Sequence, residues 1–460
     1  MKFVARACDA EIKCGSPDAT VKNVCTDSRA SQPGDLFFAI KGEKFDGHDF
    51  LADVAAKGAS AVVAGKSALA RRPPKLPSGC ALLAVDEVRV ALGKLAAAYR
   101  REFSLPVTAI GGSNGKTTTK ELLASVLRQK LSTLWSEASF NNDIGVPATL
   151  LRLEKAHQAA VLEVGTNHPG ELAPLVNLIQ PTAGLITSIG REHLEFFGDV
   201  AGVAREEGWL AELLPAEGTL FLNGDSAWAG DIAKRSRAKI VRVGFGESND
   251  WRASRVRLDK NGVTFQVIAP SPEFCGEYRV NLLGRHQVVN ALLAVASGAE
   301  HRLDRAEIQR GLAGCQPPAR RMQYWEANGV RVLDDCYNAN ADSVRAALET
   351  LCELPFQGRR VAILGDMAEL GEQSESAHSE IGRRAAELKI GQLFTVGKNS
   401  MVTARAARDA GLTRVIEFAE VEAAVRAVQS FLKPGDVVLL KASRSSRLER
   451  IAETLKVEKN

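Results

Sequence analysis

Residues 107–119 read VTAIGGSNGKTTT, an apolar strand that runs directly into a glycine-rich turn. A helix is predicted to follow, because apolar residues recur at Leu122, Leu123, Val126 and Leu127. Glycines let backbone N–H groups curl around phosphate oxygens, and the positive end of a helix dipole attracts an anion. The order of strand, glycine turn and helix therefore predicts a phosphate-binding loop.

Individual side chains in this loop have separate roles. Lys116 can reach the outer phosphates of a nucleotide, and the Thr117 hydroxyl can ligate Mg²⁺. Ile110 stands where the common GxxxxGK[ST] pattern has its first glycine, so the motif departs from that pattern. The alternative is a glycine-rich turn with a chance Lys-Thr pair, which the helix that follows disfavours. The predicted nucleotide-binding residues of the loop are Gly112, Ser113, Asn114, Gly115, Lys116, Thr117 and Thr118.

Around this loop the chain is predicted to form an α/β protein of three domains. A length of 460 residues exceeds what one hydrophobic core supports. Strand and helix patterns alternate, and the breaks at Pro106 and at the proline linker 316–319 divide the chain into 1–104, 105–315 and 316–460. We expect a small N-terminal α/β domain, a central domain with a mostly parallel sheet, and a C-terminal Rossmann-like domain. The strands predicted for the last domain are 330–333, 361–364, 393–396 and 437–440.

Composition excludes several classes of protein. The eight cysteines are scattered without a CxxC pair, which favours free thiols over disulfides or a zinc site. The net charge of +4 is spread along the chain, so no nucleic-acid partner is indicated. No segment approaches the ~18–20 apolar residues of a membrane span, and the N-terminus lacks a signal-peptide core. A cytoplasmic monomer without a membrane span is the simplest expectation.

A family resemblance becomes specific at the loop itself. Residues 112–118 resemble the ATP loop of the Mur ligases, which share this shortened form. With Asp27-Ser28-Arg29 and residues 34–39, the likeness extends over nearly the whole chain, and it is greatest to the branch that adds D-alanyl-D-alanine. Four further segments match in the same order, namely 140–147 (FNNDIGVP), 163–171 (EVGTNHPGE), 334–340 (DDCYNAN) and 365–371 (GDMAELG).

The resemblance implies a reaction and a place for each domain. The N-terminal domain would hold the UDP-sugar end of a cell-wall precursor, and the central domain would be the ATPase. ATP, with Mg²⁺, would activate a precursor carboxylate as an acyl phosphate that an incoming amine attacks. The expected reaction joins D-alanyl-D-alanine to UDP-N-acetylmuramoyl-tripeptide, a step of peptidoglycan synthesis that serves cell-wall biogenesis, cell shape and cell division.

Metal ligands and catalytic residues are also implied by the resemblance. Lys116 is expected to be catalytic and Thr117 to ligate Mg²⁺. Glu163 at a strand end and His193 match further residues that ligate Mg²⁺ in the family, and both are also expected to be catalytic. An exposed strand-end acid and a structural histidine are the respective alternatives. Arg320, beyond the linker, matches an arginine that reaches the nucleotide phosphates, although Arg321 beside it leaves the assignment open by one residue.

Glu207 is the most informative departure from the family pattern. The Mur ligases usually carry a carboxylated lysine at this position, near the second metal. Glutamate presents a carboxylate directly, so we hypothesise that Glu207 replaces the modified lysine as a metal ligand. The alternative is a solvated acid on a helix face.

The remaining candidate residues are weaker. His286 and Asn290 match a motif near the nucleotide, with Gln287 where asparagine is usual, and Lys441-Ala442-Ser443-Arg444 could bind the dipeptide or be a plain basic loop. Asn338 and Asn340 would position the adenosine of ATP, and Asp335 would position its ribose. The alternative is that these residues only form an asparagine-rich turn. The candidates for the precursor are Ser28, Arg29, Lys41, Gly42, Asp46, His48, Asn141 and Asn142.

Three other functions compete with this interpretation. A sister ligase that adds the third amino acid would carry an Asp-Asn-Pro-Arg motif in the last domain, and none is present. A folylpolyglutamate-synthase-like ligase would not require the N-terminal segments 27–29 and 34–39. A non-catalytic nucleotide-binding regulator would not need Lys116, Thr117, Glu163 and His193 together.

Overall fold

A computed structural model describes residues 1–456 of the chain. Its elements up to residue 100 are α1 (Lys2–Ala7), β1 (Glu11–Cys14), β2 (Val24–Cys25), β3 (Leu36–Phe38), α2 (Leu51–Ala56), β4 (Ala61–Gly65), α3 (Lys66–Arg71), β5 (Ala81–Val85) and α4 (Val88–Arg100). Those from 107 to 314 are β6 (Val107–Gly111), α5 (Lys116–Leu127), β7 (Thr133–Trp135), α6 (Gly145–Leu150), β8 (Ala159–Glu163), α7 (Leu172–Ile179), β9 (Ala183–Ile186), α8 (Leu194–Phe197), α9 (Val200–Glu212), β10 (Thr219–Asn223), α10 (Ala229–Arg235), β11 (Lys239–Gly244), β12 (Trp251–Asp259), β13 (Gly262–Ile268), β14 (Gly276–Val280), α11 (Gln287–Glu300) and α12 (Arg305–Gly314).

The elements beyond residue 320 complete the described chain. They are β15 (Gln323–Ala327), β16 (Val330–Asp335), α13 (Ala341–Glu353), β17 (Arg360–Gly365), α14 (Ser374–Glu387), β18 (Gln392–Val396), α15 (Ser400–Asp409), β19 (Val415–Phe418), α16 (Val421–Phe431), β20 (Val437–Lys441) and α17 (Glu449–Lys456). Short 3-10 helices lie at Gly47–Phe50, Pro272–Phe274, Gly371–Gln373 and Arg444–Ser446.

The described chain divides into two compact units. The first contains Met1–Ala109, Ser132–Gly165 and Pro174–Pro181. The second contains Ile110–Leu131, Thr166–Ala173 and the described chain from Thr182 onward, so it carries both the predicted phosphate loop and the C-terminal sheet.

The first unit is built on a five-stranded sheet of order β1-β5-β4-β3-β2, in which only the β1–β5 pair is antiparallel. Successive residues of each strand face opposite sides. Phe38 and Val63 therefore enter one hydrophobic cluster, whereas Phe37 and Val62 enter another. The same unit holds the parallel pair β7 and β8, whose last residue is Glu163.

The second unit contains strands β9 to β14, hydrogen-bonded in the order β9-β10-β11-β12-β13-β14. The pairs from β9 to β12 are parallel, and the pairs from β12 to β14 are antiparallel. Helix α5 begins directly after the loop and buries Leu122, Leu123, Val126 and Leu127, as the apolar spacing predicts.

The C-terminal sheet has the order β15-β16-β20-β17-β18-β19, with one antiparallel edge strand, β15. Alternate residues of β20 point to opposite faces of this sheet. Val437 and Leu439 belong to the hydrophobic cluster on one face, and Val438 and Leu440 belong to the cluster on the other. A mostly parallel sheet buried on both faces explains why its strands are continuously apolar. The predicted Rossmann-like domain is confirmed, although β15 and β19 were not predicted.

The predicted α/β class is confirmed, and the proline linker lies in irregular chain between α12 and β15. Among residues 1–456 no helix combines the length and the apolar character that crossing a bilayer requires.

We predict that Leu439→Ala destabilises the C-terminal sheet by about 2–5 kcal/mol, because Leu439 is fully buried on the strand between β16 and β17 and its removal leaves a cavity. Hydrogen exchange of the β16 and β17 amides measures the loss of stability in this sheet alone. A local measurement is needed because a chain of several domains does not unfold in one two-state transition. The control Met401→Ala, at a side chain that is 69% exposed, should change the protection by no more than about 0.5 kcal/mol. Equal protection in the two variants would contradict the prediction.

Candidate functional site

The turn between β6 and α5 has the backbone of a phosphate loop. Gly112 and Gly115 both have positive φ, +109° and +91°. A Cβ at Gly112 would lie 2.6 Å from the Thr187 Oγ1, and one at Gly115 would lie 2.4 Å from the Asn290 Oδ1. Glycine is therefore required at both positions, for backbone angle and for space.

Ser188, which follows β9, holds the middle of the loop. The Ser113 N–H donates to the Ser188 carbonyl oxygen at 2.7 Å, and the Asn114 N–H donates to the Ser188 hydroxyl at 2.9 Å. The Thr187 hydroxyl donates to the Asn114 carbonyl oxygen at 2.6 Å. No role was predicted for Ser188, although it lies between an apolar strand and His193.

Glu207 lies directly against the loop. Its Oε2 accepts a hydrogen bond from the Gly112 N–H at 2.6 Å, and its side chain is buried. Burial raises the pKa of Glu207 to about 7, Lys116 opposes that rise and Glu192 adds to it. The alternative of a solvated acid on a helix face is therefore wrong.

Lys116 forms a buried ion pair that was not predicted. Its Nζ lies 3.3 Å from the Glu192 Oε2 and donates to the Gly112 carbonyl oxygen at 2.5 Å. Only 14% of the Lys116 side chain and 8% of the Glu192 side chain are exposed. The sequence feature that could have identified Glu192 as a site residue is its position beside His193, after an apolar strand.

His193 is held from the C-terminal domain. Its Nδ1 contacts the Glu369 carboxylate, and its Nε2 lies 4.0 Å from the Glu192 Oε2. The hydrogen bond from His193 holds the pKa of Glu369 below its usual value. Glu369 belongs to the segment 365–371 that was singled out for its resemblance, but no role was assigned to it.

Two buried carboxylates have an oxygen suited to a cation. Glu163, in the first unit, accepts from the Asn141 Nδ2 at 2.8 Å, so the alternative of an exposed strand-end acid is wrong. Within residues 1–456, the Glu163 Oε2 and the Glu207 Oε1 are buried without a hydrogen-bond partner. Uncompensated burial of a carboxylate is costly, and a hard cation with oxygen ligands would offset it. The described side chains contain no cluster of three or more His, Cys, Asp and Glu residues placed to hold a metal.

Of the two nucleotide candidates at the start of α11, Asn290 lies close to the loop. Asn290 faces Gly115, and its Nδ2 donates to the Gln287 Oε1 at 2.9 Å. His286 immediately precedes the helix, with its Nε2 3.0 Å from the Gln287 Nε2. Thr117 is buried in the first turn of α5.

The C-terminal nucleotide candidates divide into two groups. The Asn340 Nδ2 donates to the Asn114 Oδ1 at 3.0 Å, so Asn340 meets the loop while it also caps α13. Asp335 instead pairs with the Lys441 Nζ at 2.8 Å, and the Asn338 carbonyl oxygen accepts from the same Nζ at 2.7 Å. The structure thus brings Asn340 to the loop, whereas Lys441 connects Asp335 and Asn338.

Arg320 contacts helix α17 in this structure. Its guanidinium lies 3.0 Å from the Glu453 carboxylate and 3.8 Å from that of Glu449. Its φ is +57°, a left-handed conformation that is uncommon outside glycine. Arg321 lies over the Tyr337 ring at 4.1 Å.

The precursor candidates of the first unit have mainly local contacts. The Arg29 guanidinium pairs with Asp27 at 2.8 Å, and the Ser28 carbonyl oxygen accepts from the Lys57 Nζ at 2.8 Å. His48 bridges the Asp46 carboxylate, at 2.6 Å, and the Gly65 N–H, at 2.9 Å.

The other precursor candidates are also locally bonded. Lys41 forms a backbone bridge with Asp46, and the Gly42 N–H donates to the Phe45 carbonyl oxygen at 2.9 Å. The Asn142 Oδ1 accepts from the Gly145 N–H at 2.9 Å, at the start of α6. Each of these candidates thus already has a hydrogen-bond or ion-pair partner within the first unit.

A cavity of about 960 Å³ in the second unit contains none of these residues. It is lined from β11, β12, α11 and α12, with Trp251, Phe274 and Arg305 among its residues.

Three family profiles match successive parts of the chain. The profile described as "Mur ligase family, catalytic domain" matches residues 20–100, "Mur ligase middle domain" matches 110–298, and "Mur ligase, glutamate ligase domain" matches 320–444. A relative from Escherichia coli, UDP-N-acetylmuramoyl-tripeptide--D-alanyl-D-alanine ligase, is 37% identical over 95% of this chain and 94% of its own length.

Solved structures give the same comparison. A crystal structure of MurF from Acinetobacter baumannii has a TM-score of 0.88 and 32% identity, covering 99% of this chain and 98% of its own. A MurF ligase from Thermotoga maritima in complex with ADP has a TM-score of 0.80 and 26% identity, covering 96% of this chain and 98% of its own.

We predict that Gly115→Ala weakens ADP binding about tenfold or more, because alanine is strained at a φ of +91° and its Cβ would displace Asn290. Isothermal titration with ADP measures the change. The matched control is Gly230→Ala on α10, where a Cβ meets nothing within 4 Å. The prediction fails if the two variants bind ADP equally well.

Proposed function

This chain belongs to the Mur ligase family, and from that premise we propose that it is an ATP-dependent peptide ligase that joins D-alanyl-D-alanine to UDP-N-acetylmuramoyl-tripeptide. The observation that carries the proposal is the glycine loop at the start of α5, with Lys116 and Thr117 in its first turn. Relatives that match nearly the full chain bear this activity in their names. The pentapeptide product would serve peptidoglycan synthesis, and through it cell-wall biogenesis, cell shape and division.

The reaction consists of two balanced transfers. A carboxylate oxygen of the tripeptide attacks the γ-phosphorus of ATP, the bond to the β-phosphate oxygen breaks, and ADP leaves. The amine of D-alanyl-D-alanine then attacks the acyl carbon, loses a proton and expels inorganic phosphate. Each step concentrates negative charge on phosphate oxygens, so the site must supply fixed positive groups.

The loop supplies those groups. The N–H groups at the start of α5 favour phosphate oxygens, and Lys116 adds a full charge from within the fold. The N–H groups of Gly112, Ser113 and Asn114 already donate to Glu207 and Ser188. Part of the Lys116 charge is paired with Glu192, so a bound phosphate would compete with an internal carboxylate. Catalysis by Lys116 therefore includes an exchange of its ionic partner.

We propose Mg²⁺ as the metal, with Thr117, Glu163, His193 and Glu207 as its ligands. The donor set fits a hard cation, because the Glu163 Oε2 and the Glu207 Oε1 are buried oxygens that lack a hydrogen-bond partner among the described residues. When bound, Mg²⁺ would neutralise the charge of the nucleotide phosphates.

We propose the following further assignments. His286, Asn290 and Asn340 contribute to the nucleotide site, supported by the contacts of Asn290 with Gly115 and of Asn340 with Asn114. Asp335 and Asn338 require a change in their bonds to Lys441 before they bind adenosine and its ribose. Arg320 would have to exchange Glu449 and Glu453 for the nucleotide phosphates. The precursor is assigned to Ser28, Arg29, Lys41, Gly42, Asp46, His48, Asn141 and Asn142.

The domain limits that we propose are 1–104, 105–315 and 316–460. The three family profiles support them, since 20–100, 110–298 and 320–444 each fall inside one proposed domain. We propose a cytoplasmic protein, because all eight cysteines of the described chain are free thiols, which suits a reducing compartment. We also propose that it is a monomer. Light scattering on the purified protein tests the monomer.

We predict that phosphate release requires both the UDP-linked tripeptide and D-alanyl-D-alanine. Single amino acids should not replace the dipeptide, and folate with glutamate should not replace both substrates. Turnover with a diamino acid on the dipeptide precursor would favour the sister ligase, and nucleotide binding without turnover would favour a regulator.

Lys116→Ala should lower the rate of this reaction about 10²–10³-fold, whereas Lys155→Ala, at an exposed lysine, should not lower it.

We predict that Glu207→Ala raises the Mg²⁺ concentration for half-maximal activity about tenfold or more, since it removes a carboxylate proposed to ligate the metal. Glu207→Lys should regain activity in added bicarbonate, which can carboxylate the lysine. Glu217→Gln, at an exposed acid, is the control. Full activity of Glu207→Ala at unchanged Mg²⁺ dependence would refute the ligand role.

A further inference from the structure

The segment from Gly190 to Glu195 lies between the phosphate loop and the C-terminal domain, with hydrogen bonds to both. On the loop side, the Gly190 N–H donates to the Ser113 hydroxyl at 2.9 Å, and Glu192 pairs with Lys116. On the other side, the Glu195 N–H donates to the Glu369 carbonyl oxygen at 3.1 Å. His193 occupies the centre of this segment.

The C-terminal domain holds the start of the segment with two acids. The Arg191 guanidinium lies 2.8 Å from Asp342 and 2.5 Å from Glu380, and the Arg191 N–H donates to Asp342 at 2.9 Å. Charge-assisted bonds of this kind are strong and directional. The position of the segment therefore depends on the C-terminal domain.

The end of the segment is anchored by packing. Leu194 and Phe197 of α8 are buried in the hydrophobic cluster that covers one face of the C-terminal sheet, together with Leu364 and Leu370. Leu370 directly follows Glu369. The backbone around the His193–Glu369 pair is therefore held on both sides.

The pair itself is strained in its backbone. His193 has a φ of +48° and Glu369 a φ of +60°, left-handed values that are unfavourable for residues other than glycine. Such strain persists only where the surroundings impose it, and it is concentrated at functional sites. Both members of one side-chain contact share it here.

The contact determines which ring nitrogen points to the loop. Because the Nδ1 meets the Glu369 carboxylate, the Nε2 is directed toward Glu192, which in turn pairs with Lys116. A carboxylate on one ring nitrogen holds the proton there and leaves the other nitrogen as a lone-pair donor. The Nε2 is thus the ring nitrogen of His193 that is available to a cation on the loop side.

We propose that Glu369 is a positioning residue: the C-terminal domain uses it to fix the ring and the tautomer of His193, and so completes the cation site of the phosphate loop. This proposal rests on the proposed function. The central domain then supplies the metal ligand His193, and the C-terminal domain orients it. The imidazole has this orientation only when segment 365–371 lies against α8.

The first test is made without nucleotide. In protein labelled with ¹⁵N-histidine, the neutral form of His193, assigned with His193→Gln, should carry its proton on Nδ1 and not on Nε2. Glu369→Ala should shift it toward a mixture of tautomers or the Nε2–H form, and the exposed Glu372→Ala should leave it unchanged. An unchanged His193 signal in Glu369→Ala would overturn the proposal, even in a fully active ligase.

The second test measures the metal. Binding of Mn²⁺ to the ADP complex, followed by electron paramagnetic resonance, should weaken about 10–100-fold in Glu369→Ala, as for other residues that orient a ligand. Glu369→Gln keeps an oxygen acceptor for Nδ1–H, should regain most of that affinity, and remains informative if the alanine variant fails to fold. Equal Mn²⁺ affinity in all variants would overturn the proposal. If Lys116→Ala loses peptide-bond formation but keeps a normal His193 signal, that result bears on the proposed ligase function and not on the role of Glu369.

Discussion

The structure depends on the backbone shape of the turn between Gly111 and Lys116. That shape needs positive φ at Gly112 and Gly115, and both glycines lie where a Cβ would collide with Thr187 or Asn290. The chain that supplies these neighbours comes from the ends of β9 and the start of α11, far apart in sequence. The conformation of the phosphate loop therefore depends on tertiary contacts, although its sequence motif is local.

Two adjacent acids of α9 connect that loop to its surroundings. Glu207 accepts from the Gly112 N–H, whereas Glu206 accepts from the Gly170 N–H at 3.0 Å and the Leu172 N–H at 2.8 Å. Glu206 thereby holds the segment that precedes α7, and Glu207 holds the phosphate turn. One turn of helix thus positions two loops that the sequence separates by more than fifty residues.

The segment after β9 gives the site its dependence on the C-terminal domain. It backs the loop through Ser188, pairs Lys116 through Glu192, and reaches the C-terminal sheet through Arg191, His193 and α8. A segment that is bonded to both regions can transmit the position of one to the other. The buried charges in it are paired, which is the condition for keeping them inside a fold.

The sequence by itself determined the loop, the helix after it, the α/β class, the Rossmann-like domain and the family, because these depend on local spacing and on motifs in order. It also placed Glu163, His193 and Glu207 among the site residues, although their ligand roles remain predictions. Only the tertiary structure decided that Glu207 is buried against Gly112, that Lys116 pairs with Glu192 and that Glu369 meets His193. Those contacts join residues 76 to 176 positions apart, and no local pattern records which distant partner burial will select.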